Sequence, residues 1–363
     1  MTALVDNFEA WIVDHLEVSI LGDTSFFLGI RVIRDQTANP PFLILNQEIY
    51  TKSILEKHNF DLNKKSKYPM SKDAIAYIER KEDEPKASAA AIQKYQSCNG
   101  SLMYLMLGTR PDIAYTIGCF ARFAHDPSRN HFLALTHIFW YINATTQFII
   151  KYVKTPPNSD GTINYDPVGY CDADFAGELA TTEKHKSTSG YVFDLAGGPF
   201  SWSSKLQKTV ATSPMEAEYI AMFTAATQAA WIQQVYVAIG HPITDPTKLY
   251  RNNTAATAVV NGQGTPTGKK HIEVKYHYTQ GLVAQKELTV NHINTEESNT
   301  NTPTKCLTGR NFGLGLENLA LHIMDDFINL LSYNPSPTSD TPNPSSVLDV
   351  SQMDTSVYID ADE

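Results

Sequence analysis

The sequence predicts an α/β or α+β chain, and three observations carry that class. Residues 165–310 hold short runs (GYCDADFAG, SGYVFDLAGG, PFSWSSKLQKTVAT) spaced by glycines and polar turns and followed by alternating helical and strand stretches. Residues 94–150 read as a helical pair with recognisable start signals. Within residues 1–70, FFLGIRVIRD and PFLILNQEIY flank a turn at Thr37–Pro41, the pattern of a hairpin.

Taken in order, the hairpin leads into SKDAIAYIERKEDEPKASAAAIQ (residues 71–93), polar and charged, which is expected to be a connector. In the helical pair, Thr109-Arg110-Pro111-Asp112 offers a cap, an early proline and an acid three after the cap. Asp126-Pro127 repeats that signal before SRNHFLALTHIFWYINAT. Phe132, Leu135, Phe139 and Ile142 recur near helical spacing. Beyond residue 165 the three strands are followed by a helix from Pro214 and a strand near Lys248–Arg251. Helices around Thr254–Val260 and His271–Gln285 come next, then the strand LTVNHINT. The stretch Asn334–Ser346 has four prolines and four serines in 13 residues and is expected to be disordered. There is no internal repeat.

Composition bounds the function. The chain has 363 residues, of which 42% are apolar, enough for two globular units and a tail and too many for a fully disordered chain. No 18-residue apolar run predicts a membrane span. The four cysteines are widely spaced with no C-x-x-C pair, which argues against a disulfide scaffold or zinc finger. MTALVDNFEAWIVDHLEV lacks a basic start followed by an apolar run, so a cytoplasmic or nuclear chain that is not secreted is expected. The net charge is −10, but nine acids and no Lys or Arg follow Arg310, leaving residues 1–310 at −1. A near-neutral body with an acidic tail does not by itself announce a nucleic-acid partner.

Two acidic pairs could carry chemistry. Asp172 and Asp174 end an apolar strand in GYCDADFAG, where acids are poor strand formers. They read either as solvated turn carboxylates or as metal-binding groups at a strand end. In SPMEAEYIAMFTAA, Ser213 can cap a helix, Pro214 suits its first turn and Glu216 falls at the capping-box position. Glu218 lies about 200° around the helix from Glu216. It has no such structural role and is the better candidate for chemistry, beside the stripe Met215, Tyr219, Met222 and Ala226.

At this point the phrases FFLGIRV, LNQEIYTKSILEK, YPM, GSLMYLMLGTRPDIAYTIG, GYCDADFAG, KSTSGYVF, GGPFSWSSKLQKTVATSPMEAEYIA and KKHIEVKYH come together. In this order, over roughly residues 16–307, the chain resembles the C-terminal part of Ty1/copia-type retrotransposon Pol polyproteins. The resemblance implies a reverse-transcriptase palm/thumb remnant at 1–70, and a connector and helical connection region at 71–164. An RNase H-like mixed sheet at 165–310 and an acidic, partly disordered tail at 311–363 complete the division. The family's polymerase motif, Y-V-D-D, has no working counterpart: Leu4-Val5-Asp6-Asn7 lies too close to Phe27 and ends in Asn, so no polymerase active site is expected.

For the RNase H-like part, the resemblance implies four carboxylate positions holding two Mg2+ (or Mn2+) ions, one activating water and one stabilising the leaving oxygen. Asp172 and Glu218 match the first two and would be the metal ligands. The third and fourth fall on Asn252, in KLYRNNTAA, and on Asn301, three before Thr304-Lys305. Magnesium favours charged oxygen ligands, so two Asp-to-Asn departures predict an impaired endonuclease unless Asp174, Glu296, Glu297 or His292 compensates. The implied partner is an RNA–DNA hybrid or other nucleic acid, with Lys184, Lys186, Lys205, Lys208, Lys269 and Lys270 contacting phosphates. The same lysines would also fit a merely solvated strand face. His271 and His277 are six apart and do not suggest zinc, and Trp140, Trp202 and Trp231 read as core rather than base-stacking platforms. Three outcomes follow: a residual endonuclease, a catalytically dead nucleic-acid-binding relic, or a captured interaction module acting through the acidic tail.

Overall fold

A computed structural model describes residues 2–18, 22–70, 84–156, 165–177, 185–262, 270–294 and 297–324. The proline- and serine-rich stretch lies outside them, as do Lys184, Lys269 and Glu296.

The first sheet has the order β1-β2-β3-β4-β10 and is antiparallel throughout. Its strands are β1 (Phe26–Phe27), β2 (Ile30–Asp35), β3 (Phe42–Asn46), β4 (Phe148–Val153) and β10 (Leu321–Ile323). The β2–β3 hairpin is the one read from residues 1–70. Strand β4 falls at the end of the stretch read as helical. Its sequence FIIKYV is rich in β-branched and aromatic residues, and Ile149 and Ile150 are buried. Strand β10 lies in the stretch read as tail, and Met324 beyond it is buried against Phe42, Ile44 and Ile149.

A helical layer follows, with α1 (Thr2–His15) preceding the first sheet and α2 (Glu48–Lys57) leaving it. Helix α1 contains Leu4-Val5-Asp6-Asn7. Its main members are α3 (Ala89–Gly108), α4 (Ala114–Phe120) and α5 (Arg129–Ala144). Helix α3 starts inside the stretch read as connector, because Ser88 accepts the Ala91 backbone N–H as a cap. The caps differ from the sequence reading in a second way. Thr109 ends α3, and the carboxylate of Asp112 does no capping. It pairs with Arg110 at 2.8 Å and accepts the Tyr141 hydroxyl at 2.6 Å, all three side chains being buried. Helix α5 is capped by Ser128 and His131 rather than by Asp126. Tyr95, Leu102, Phe120, Phe132, Ile138 and Phe139 form the core of this layer.

The second sheet has the order β7-β6-β5-β8-β9. Strands β5 (Val168–Asp174), β6 (Thr188–Leu195) and β7 (Gly198–Leu206) form an antiparallel meander. Strands β8 (Thr247–Arg251) and β9 (Leu288–His292) add in parallel on the other side of β5. This is the mixed sheet that the resemblance implies. Helix α6 (Pro214–Ala238) covers one face, and Ala225, Ala226 and Ala229 let it approach Cys171, Phe193 and Leu249 closely. Helices α7 (Thr254–Val260) and α8 (Lys270–Ala284) complete that layer. The second sheet is fixed to the helical layer by Trp202 on β7, whose indole N–H donates to the Met106 carbonyl at 3.1 Å. Trp231 on α6, expected in the core, is 55% exposed.

Candidate active site

The site is built where β5, α6, β8 and a one-turn helix, α9 (Asn301–Thr304), meet. Along β5 the side chains alternate. Cys171 joins the core beneath α6, and Ala173 packs against Ala217 and Ala221. Asp172 points to the opposite face and is 2% exposed. There it meets α9: Thr304 Oγ1 donates to Asp172 Oδ2 at 3.2 Å, and Lys305 Nζ lies 3.1 Å from the same oxygen. The approach of α9 requires Gly190 on β6, opposite Asp172 in register, because a Cβ there would lie 2.5 Å from Thr304 Cγ2.

Glu218 sits in the second turn of α6. Ser213 caps that helix by accepting the Glu216 N–H at 3.2 Å. The Glu216 carboxylate turns back to Thr212, accepting its N–H at 2.7 Å and its hydroxyl at 2.6 Å. Glu216 is therefore engaged at the helix start, with its carboxylate on Thr212, and Glu218 is left to the interior. Its partner is Arg251, the last residue of β8 and fully buried, whose Nη2 donates to Glu218 Oε2 at 2.7 Å. Arg251 Nη1 lies 3.3 Å from Met222 Sδ. Burial raises the Glu218 carboxyl above the ordinary carboxylate range, the Arg251 guanidinium pulls it down and the nearby Asp172 charge pushes it up.

Of the four positions inferred from the resemblance, two interact directly and the other two lie beside residues of the site. Asp172 and Glu218 feel each other's charge. Asn252 directly follows Arg251, and Asn301 opens the turn whose Thr304 reaches Asp172. Of the groups considered as substitutes, Glu296 lies outside the described residues. His292 and Glu297 line an open groove of about 510 Å3 with Tyr170, Lys248 and Tyr250. Asp174, two residues along β5 from Asp172, influences Tyr115 and Cys119.

Arg251 and Lys305 are the residues that sequence reasoning passed over. The available signal was an arginine closing the otherwise strand-like KLYR, immediately before the first departure. Their presence decides how well the site suits divalent ions. Such ions want several charged oxygens and a net negative cage. Here two carboxylates are matched by two cations, and the described residues contain no cluster of three His, Cys, Asp or Glu side chains able to hold a metal. The residues present do not fit a two-ion centre.

The lysines are only partly placed. Lys205 lies on the edge strand β7 and is exposed, Lys208 is exposed just beyond it, and Lys186 is half-buried just before β6. Lys270 opens α8. No helix among the described residues is long and apolar enough to cross a membrane.

No family model matches the chain. It is 32% identical over 327 residues to the retrovirus-related Pol polyprotein from transposon TNT 1-94 of Nicotiana tabacum, covering 88% of this chain and 23% of that one. It is also 32% identical over 285 residues to the Pol polyprotein from transposon RE1 of Arabidopsis thaliana, covering 78% of this chain and 18% of that one. The chain therefore spans about a fifth of the length of these curated relatives. Among solved structures, an RNase H1 from the archaeon Halobacterium salinarum NRC-1 aligns at TM-score 0.26 and 15% identity, over 36% of this chain and 86% of that one. With the sequence relatives spanning most of its length, the chain belongs to the Ty1/copia-type retrotransposon Pol polyproteins and corresponds to their C-terminal part.

Proposed function

We propose that the RNase H-like domain of this Pol-family chain, residues 165–310, holds an RNA–DNA hybrid or related duplex. Its ancestral two-metal hydrolysis is impaired. Residues 1–70 are then the reverse-transcriptase remnant, 71–164 the connector and helical connection, and the acidic tail begins near residue 311, although α10 (Gly309–Asn318) and β10 within it fold back onto the body.

The observation that carries the binding half is a shared sheet end. Ala173 on β5 pairs with Ser189, and Ser189 pairs with Lys205 on the edge strand. Lys205, Lys208 and Lys186 therefore stand at the end of the sheet that carries Asp172. Two exposed cations, Lys205 on the edge strand and Lys208 just beyond it, with half-buried Lys186 near the same sheet end, suit a phosphate backbone and read no sequence. The impaired half is supported by Asn at positions 252 and 301.

The test is a labelled RNA–DNA hybrid, followed for binding by anisotropy and for cleavage with magnesium and separately with manganese. The natural chain is expected to bind without cleaving. A Lys205→Glu/Lys208→Glu variant is expected to bind more weakly, with the salt dependence of log K reduced by about two phosphate contacts. Cleavage that disappears in Asp172→Asn would overturn the impaired half. Binding indifferent to the lysine reversals would overturn the binding half.

A further inference from the structure

Arg251 is the feature the proposed function leaves unexplained. A guanidinium is costly to bury, and this one is fully enclosed beneath α6, its Nε without a hydrogen-bond partner among the described residues. Its principal compensation is Glu218 at 2.7 Å, while Lys305 sits 3.1 Å from Asp172. The two carboxylates inferred to be metal ligands thus each carry a covalently tethered counter-ion from the same chain.

We propose that Arg251 is the resident cation of this site: its guanidinium takes the place of an external divalent ion at Glu218, with Lys305 doing the same more loosely at Asp172. The box is then electrically closed in the free chain. Four consequences follow from the geometry. The fold does not depend on divalent ions. An entering metal must first displace a buried arginine that has no other carboxylate among its hydrogen-bond partners. Restoring carboxylates at positions 252 and 301 leaves Arg251 still bound to Glu218. Lys305, whose side chain is 34% exposed, can swing into solvent, so Arg251 is the principal lock. None of this depends on whether the lysine edge of β7 holds nucleic acid.

The test is Mn2+ binding to the full chain, read by loss of the free-ion electron paramagnetic resonance signal, together with melting temperatures with and without Mn2+. The series is natural chain, Arg251→Met, and Arg251→Met/Lys305→Met, which steps the box from neutral to two net negative charges at similar side-chain volume. The natural chain is expected to leave the Mn2+ signal and its own melting temperature unchanged. Arg251→Met should melt several degrees lower, and Mn2+ should recover part of the loss. The double variant should bind Mn2+ roughly tenfold tighter than the single one. Arg251→Lys keeps the charge and should remain silent to Mn2+. If Arg251→Met does not fold, Glu218→Gln/Arg251→Met removes both partners and should fold while ignoring Mn2+. Mn2+ binding by the natural chain that is lost in Glu218→Gln would overturn the proposal, as would a series in which affinity does not rise. Hybrid binding is measured separately, so the binding reading and the closed box can fail independently.

Discussion

Asp194 on β6 accepts a hydrogen bond from the Asn299 amide on one carboxylate oxygen, while the other is buried without a partner among the described residues. Burial, opposed by Asn299, pushes its carboxyl up to about 7 from an ordinary 3.8. The folded chain therefore holds this proton where the unfolded chain has released it. The protonated form's full contribution is present below 3.8 and is lost as pH rises through about 7. Asp194→Asn cannot ionise and escapes that loss. Urea midpoints at acid and alkaline pH should show the variant gaining on the natural chain as pH rises, by about 1.4 kcal/mol per unit of pKa separation at most. A constant gap across pH would contradict it. Single residues were unevenly legible in the sequence. Glu216 and Glu218 could be told apart by capping geometry alone, because a helix fixes angles from spacing. Asp112 could not, since its true partners Arg110 and Tyr141 are set by a turn and by a helix 29 residues away.

Among elements, α9 depends most on a neighbour. It is a single turn, too short to be stable by itself, held by the absence of a Cβ at Gly190 and by Thr304 reaching across to Asp172. Gly190→Ala would force Thr304 and Pro303 outward. Such overpacking should cost about 1–3 kcal/mol in chemical denaturation and release Asp172 from Thr304. Gly190→Ala with Thr304→Ser removes the methyl that clashes and keeps the hydroxyl, and should recover much of the loss. A full-sized loss in the double variant would count against this packing. The strands and longer helices of residues 165–292 were legible because their periods and turn residues agree, whereas α9 was not read. Strand β4 was missed because a short apolar run beside a helix has no distinctive period. Strand β10 was missed because its three residues acquire strand character only by pairing with Ile150, Ile149 and Phe148.

Over the whole molecule, the second sheet is spliced between two strands of the first: β5 through β9 lie in sequence between β4 and β10. Strand β10 covers one edge of β4, and Met324 N–H donates to the Gln147 carbonyl at 3.0 Å. A chain ended after Met324 is expected to stay monodisperse in light scattering. One ended after Asn318 exposes the β4 edge and should self-associate. Equal behaviour of the two would show that β10 protects nothing. The interleaving could not be read from local pattern, whereas the family could, because it is written in ordered phrases rather than in contacts.

That splice sets a timetable for synthesis. The chain leaves the ribosome from its N-terminus, so β4 emerges some 170 residues before the strand that will shield it. Throughout that interval its outer backbone groups are available to any extended segment nearby, including the same strand of a neighbouring nascent copy. The second sheet can complete its own pairing first, since all its strands precede β10. The order of assembly is therefore inverted relative to the order of the sequence: the sheet begun first is finished last, and crowding on a polysome falls on its half-built edge.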